Sequence, residues 1–141
     1  MNKIILILSL ALLLGLGAWS FVHFTAKTHP SESDGPLPPI RLHNLERDGQ
    51  ITSPFTLSGS ATNRWFFEGS FPVVLTDANG TVLFQGAAEA KGDWTTPGFV
   101  PFEVTLTFGT PATATGKLIL KKDNPSGLPE NDEEFNMPVS F

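Results

Sequence analysis

The chain has 141 residues, no cysteine, and nine basic against fourteen acidic side chains, a formal charge of −5. This length supports one domain with a core of its own once an N-terminal segment is set aside, and the lack of cysteine excludes a disulfide framework, a thiolate site and lipid attachment through a processed cysteine. The acidic excess argues against nucleic-acid binding, which needs a concentrated positive face.

Residues 1–25 read as a signal peptide or transmembrane anchor. Lys3 precedes an apolar run, Ile4–Val22, broken only by Ser9, Ser20 and small residues. The run is about the length that crosses a bilayer as a helix. Trp19 and Phe21 resemble interfacial anchors and favour retention, whereas Ala18-Trp19-Ser20 fits a small-x-small cleavage site. With Lys3 inside, the rest of the chain is exported: a single-pass cell-membrane protein with an extracytoplasmic domain, or a secreted one if the leader is cleaved. Residues 26–39, AKTHPSESDGPLPP, have a linker's composition, too poor in apolar residues to order themselves.

Residues 40–141 alternate apolar and polar positions between turn signals, the pattern of half-buried strands. Ile40–Leu45 is the first expected strand, with Ile40 and Leu42 inward. Glu46-Arg47-Asp48-Gly49 is a turn, and Ser53-Pro54 opens a strand whose Phe55, Leu57, Gly59 and Ala61 share one face. Gly59 in mid-strand predicts a close backbone approach or a bulge. Trp65, Phe67, Phe71, Val73 and Leu75 share a parity, so an extended backbone places Trp65 and Phe67 inward and Phe66 and Glu68 outward; a bulge at Gly69 reverses that parity. Asn79-Gly80 predicts a tight hairpin that sets Leu75 opposite Phe84, or opposite Val82 if the turn shifts. Val73, Leu75, Val82 and Phe84 share a face in either register. Asp77 and Asn79 lack the further oxygens of a calcium loop, and no metal site is expected.

Lys91–Gly98 is a loop in which Trp94 lies between Asp93 and two threonines. Phe102, Val104, Leu106 and Phe108 alternate within Phe99–Phe108, Leu118 and Leu120 face inward within Gly116–Lys122, and Phe135, Met137, Val139 and Phe141 alternate in the last strand. The sum is seven short strands at spacings of about 8–14 residues, an antiparallel immunoglobulin-like β-sandwich, with no helix expected after the leader.

Ser53-Pro54-Phe55 followed by Gly59 and Ala61, Trp65 with Phe67-Glu68-Gly69, Asp77 with Gly80, Phe102-x-x-x-Leu106-x-Phe108 and Pro138-Val139-x-Phe141 together resemble the immunoglobulin-like domain of bacterial spore germination, over Ile40–Phe141. The resemblance implies a bacterial envelope protein that accompanies other extracytoplasmic modules, and it brings no catalytic residues.

Within the domain His43 is the only histidine, and neither cysteine nor tyrosine is present for nucleophilic or acid–base work. The expectation is a non-catalytic module without cofactor. It is tethered to the bacterial membrane through its N-terminal segment and docks another envelope protein. The alternative is a cell-wall or carbohydrate-binding module. Candidate contact residues are Phe66 and Glu68 on the sheet surface and Trp94, an aromatic among polar neighbours that can stack on a flat partner.

Overall fold

In the computed structural model residues 37–141 are described; the expected anchor at 1–25 and residues 26–36 of the expected linker lie outside them. No helix among the described residues is long and apolar enough to cross a membrane. Alternation of apolar side chains produces most of the strands: β1 Ile40–Leu42, β3 Phe55–Thr62, β4 Ser70–Asp77, β5 Val82–Ala90, β6 Phe99–Leu106, β7 Thr115–Lys121 and β8 Glu134–Ser140, with a two-residue β2 at Gly49–Gln50.

The expectation of seven strands, all antiparallel, is therefore corrected to eight strands in a mixed sheet. The added β2 is too short to show alternation, and it runs parallel to β8, with Gly49 opposite Val139 and Gln50 opposite Ser140. All eight strands join one sheet in the order β1-β3-β6-β5-β4-β7-β8-β2. Among the six long strands, β3 to β8, the shortest pairing is between β5 and β6, which meet only at Glu89↔Glu103 and Ala90↔Phe102. The sheet forms a half-barrel, consistent with an immunoglobulin-like fold, and its flanks share one core. Phe71 of β4 meets Phe102 of β6 edge to face at 5.0 Å between ring centroids.

Parity was a sound guide inside the strands. Leu57, Ala61, Phe71, Val73, Leu75, Phe102, Val104, Leu106, Leu118, Leu120 and Val139 are buried. Gly59 is the predicted close approach, because a Cβ there would lie 2.6 Å from both Arg41 O and the Phe102 ring. At the hairpin Leu75 pairs with Phe84 and Val73 with Gly86, but a bulge then sets Thr76 opposite Val82. Val82 consequently leaves the core face and is 54% exposed, contrary to the expected shared face.

Three-residue 3-10 turns at Asn63–Trp65 and Pro129–Asn131 qualify the expectation of no helix. The first breaks the extended backbone assumed for residues 65–71.

The outer edges of the sheet are blunted against further pairing. Beyond the short β1, the Asn44 side chain bonds the β3 backbone at Thr56 O (2.7 Å) and Ser58 N (2.9 Å). At the other edge Asp48 N donates to Pro138 O at 2.9 Å, and Pro138 itself offers no amide.

Candidate docking surface at one end of the sheet

The connections β3–β4, β5–β6 and β7–β8 gather at one end of the fold. The chain also enters there, since Thr62 N donates to Pro39 O at 2.9 Å. Residues 65–70 form the centre of this end. After the 3-10 turn, Trp65 is fully buried and Phe66 is only 5% exposed. Trp65 lies 5.9 Å and Phe66 5.1 Å from Phe71, both edge to face. The expectation that Phe66 stands on the sheet surface is thus overturned: the turn at Glu68-Gly69 pairs Phe67 with Ser70, which puts Phe66 on the face of Phe71 and leaves Phe67 in the exposed position at 43%.

Phe67 and Ser70 exchange backbone hydrogen bonds, Phe67 N to Ser70 O at 3.0 Å and Ser70 N to Phe67 O at 3.2 Å. The two residues between them have positive φ, 52° at Glu68 and 81° at Gly69. That is the signature of a two-residue hairpin of the primed type, in which asparagine, aspartate or glycine is preferred at the first position. A glutamate there costs roughly 1 kcal/mol in the left-handed region. Glu68 is exposed and forms no ion pair among the described residues.

Trp94 is brought to this turn. A Cβ on Gly69 would lie 3.4 Å from the indole Cδ1 and Nε1, and Trp94 packs half-buried against the core. Its loop is fixed by Asp93, whose carboxylate accepts from the Thr95 amide at 2.9 Å and from the hydroxyls of Thr95 and Thr96. These bonds hold the Asp93 carboxyl below the usual carboxylate range, with the Thr95 hydroxyl the largest cause. Ala90 N donates to Gly69 O at 2.8 Å and ties this side of the turn to β5.

On the other side a cleft of about 310 Å³ is lined by Arg64, Phe66, Phe67, Asp123, Asn124 and Ser126 among others. Asp123 N donates to Trp65 O at 3.0 Å, and Arg64 reaches Glu133 at 3.4 Å. Of the expected site residues the structure therefore sets Trp94 against the turn that carries Glu68, and it buries Phe66. Phe67 and Arg64 were missed, and the signal for Phe67 was the turn-forming Glu68-Gly69, which decides parity for the residues before it. No group of three potential metal-ligating side chains occurs among the described residues.

The model of a protein family described as the immunoglobulin-like domain of bacterial spore germination matches residues 40–127. Searches of curated proteins and of solved structures each found no significant match. The matched span contains the Phe67–Ser70 turn, the Trp94 loop and all strands except β8.

Proposed function

Because this chain belongs to the family of immunoglobulin-like domains of bacterial spore germination, we propose that it is a non-catalytic, extracytoplasmic module that docks another protein of the bacterial envelope. The apolar run Ile4–Val22 supports a membrane tether, with residues 26–39 as the spacer. The observation that carries docking is the Phe67-Glu68 tip. A large aromatic side chain is left in solvent beside a carboxylate held in a left-handed conformation that glutamate disfavours. Local cost retained in a turn built on rigid strands is a mark of a binding feature.

The alternative, binding of a cell-wall polymer, rests on Trp94. One edge of that indole lies on Gly69 and the ring packs toward the core, which favours a role in supporting the tip over one as an open sugar platform.

The test is site-specific photocrosslinking from position 67 in the full-length chain in native membranes. The docking reading expects a defined protein adduct that fades in Glu68→Lys. Recovery of no protein adduct, together with Trp94-dependent sedimentation of the chain on peptidoglycan sacculi, would transfer the assignment to the wall polymer.

A further inference from the structure

The two edges of β5 differ. One pairs with β4 from Val82 to Glu89, while the other meets β6 only at Glu89 and Ala90. Lys91 N donates to Pro101 O at 2.8 Å on the β6 side, so the alternation of a strand turns the backbone groups of Glu89, Ala87 and Gln85 the same way. Those of Glu89 find β6; those of Ala87 and Gln85 face no strand among the described residues. Where the outer edges of the sheet are blocked by the Asn44 side chain, by β2 and by Pro138, the stretch VLFQGAA of β5 contains neither a proline nor a charge. An open edge of this kind is a template for an added strand.

A cleft of about 270 Å³ lies along this opening. Half-buried Phe84 and buried Val104 line its apolar part, and Glu89, Lys91 and Glu103 line the end where the strands rejoin. Glu89 and Glu103 stand directly opposite one another in the ladder, an unfavourable arrangement for like charges. Lys91 relieves only one of them: its ammonium is 2.9 Å from Glu103, and Glu89 has no ion pair among the described residues. Residues 37–141 carry seven basic and twelve acidic side chains, a charge of −5 that favours approach of a positive partner.

We propose that the seam between β5 and β6 is a docking groove for an extended, basic segment of another protein. The segment adds a strand to β5 through Gln85 and Ala87, places alternate apolar side chains against Phe84 and Val104, and sets a lysine or arginine beside Glu89. This site rests on the reading of the domain as a protein-docking module and names the chemistry of what it docks.

The probe is an alternating Lys-Val octapeptide, compared with the same peptide N-methylated at alternate backbone nitrogens and with a Glu-Val octapeptide. Each is titrated into the full-length chain in detergent micelles by fluorescence anisotropy, with amide hydrogen exchange read at β5. The Lys-Val peptide is expected to bind and to slow exchange at Gln85 and Ala87. Affinity should fall at least tenfold on N-methylation, in Glu89→Lys and in Ala87→Pro. Equal binding of the N-methylated peptide would reduce the effect to charge attraction and overturn the proposal, as would protection elsewhere or no binding. Protection of Gln85 and Ala87 before any peptide is added, by a second copy or by the chain's own N-terminal segment, overturns it too. A failed seam beside a successful crosslink from position 67 removes this groove and leaves the docking reading standing; failure of both removes both.

Discussion

The strand β4 ends in a tight turn on each side, and the two turns solve the same problem differently. At its C-terminal end Asp77, 3% exposed, folds its carboxylate into the turn, where Oδ1 accepts from the amides of Asn79 at 2.9 Å and Thr81 at 2.8 Å. Gly80 takes the left-handed position, φ 83°, at no steric cost. At the N-terminal end glutamate occupies a left-handed position, its carboxylate makes no hydrogen bond within the turn, and Phe67 beside it stays in solvent. One turn satisfies its backbone amides from within, through a single carboxylate oxygen. The other departs from that pattern where exposed aromatic and acidic groups are displayed, which is why the binding assignment falls there.

The sharpest way to break this contrast is to truncate the two adjacent phenylalanines. Phe66→Ala empties a buried site against Phe71 and should cost about 3–5 kcal/mol in denaturant unfolding. Phe67→Ala should stay within about 0.5 kcal/mol yet abolish partner capture. Equal losses of stability would place both rings in the core and end the case for the tip. Next in size, Asp77→Ala strips two charge-assisted bonds from the opposite turn and should cost about 2 kcal/mol. Asp77→Asn keeps an acceptor for those amides and should retain most of that stability; a loss as large as alanine's would show that charge, and not the acceptor, holds the turn.

A smaller effect of opposite sign is expected at the strained turn. Glu68→Asn suits the first position of a primed turn and should raise stability by about 1 kcal/mol while weakening docking. A stability decrease would mean that Glu68 is held by contacts that outweigh its backbone cost. The finest test concerns the Trp94 loop. Asp93 titrates lower in the folded chain than in the unfolded one, so its contribution is fully present above about pH 4 and fades as pH falls through the lower folded value. Removing the largest cause in Thr95→Ala should move the Asp93 midpoint back up toward its ordinary value in an NMR titration. An unmoved midpoint would assign the shift to the remaining bonds.

How far the residues could be read in advance depended on whether one strand decided its own geometry. Phe102, Val104 and Leu106 lie on one pleated face, so alternation alone buried them. Asn79-Gly80 named the hairpin, because its backbone preference acts within four residues, and left two registers open, of which the pairing of Leu75 with Phe84 is one. The bulge that exposes Val82 came instead from how β5 meets β4, and the inward placement of Phe66 from the reversal at Glu68-Gly69, one of two parities the sequence left open. Trp94 was visible as an aromatic in a polar loop, but its contact with Gly69 joins residues 25 positions apart. The edge of β5 was equally hidden, since an unpaired edge is a property of neighbours and not of the strand.

By itself the sequence determined an all-β fold, its principal core residues, its main hairpin and its family resemblance, because side-chain period and turn chemistry act locally. Tertiary structure alone decided that Phe67 and not Phe66 faces solvent, that β2 closes an edge in parallel with β8, and that β5 and β6 part to leave a groove beside Glu89. Those outcomes depend on which strands meet and for how long, and packing between distant segments sets that balance.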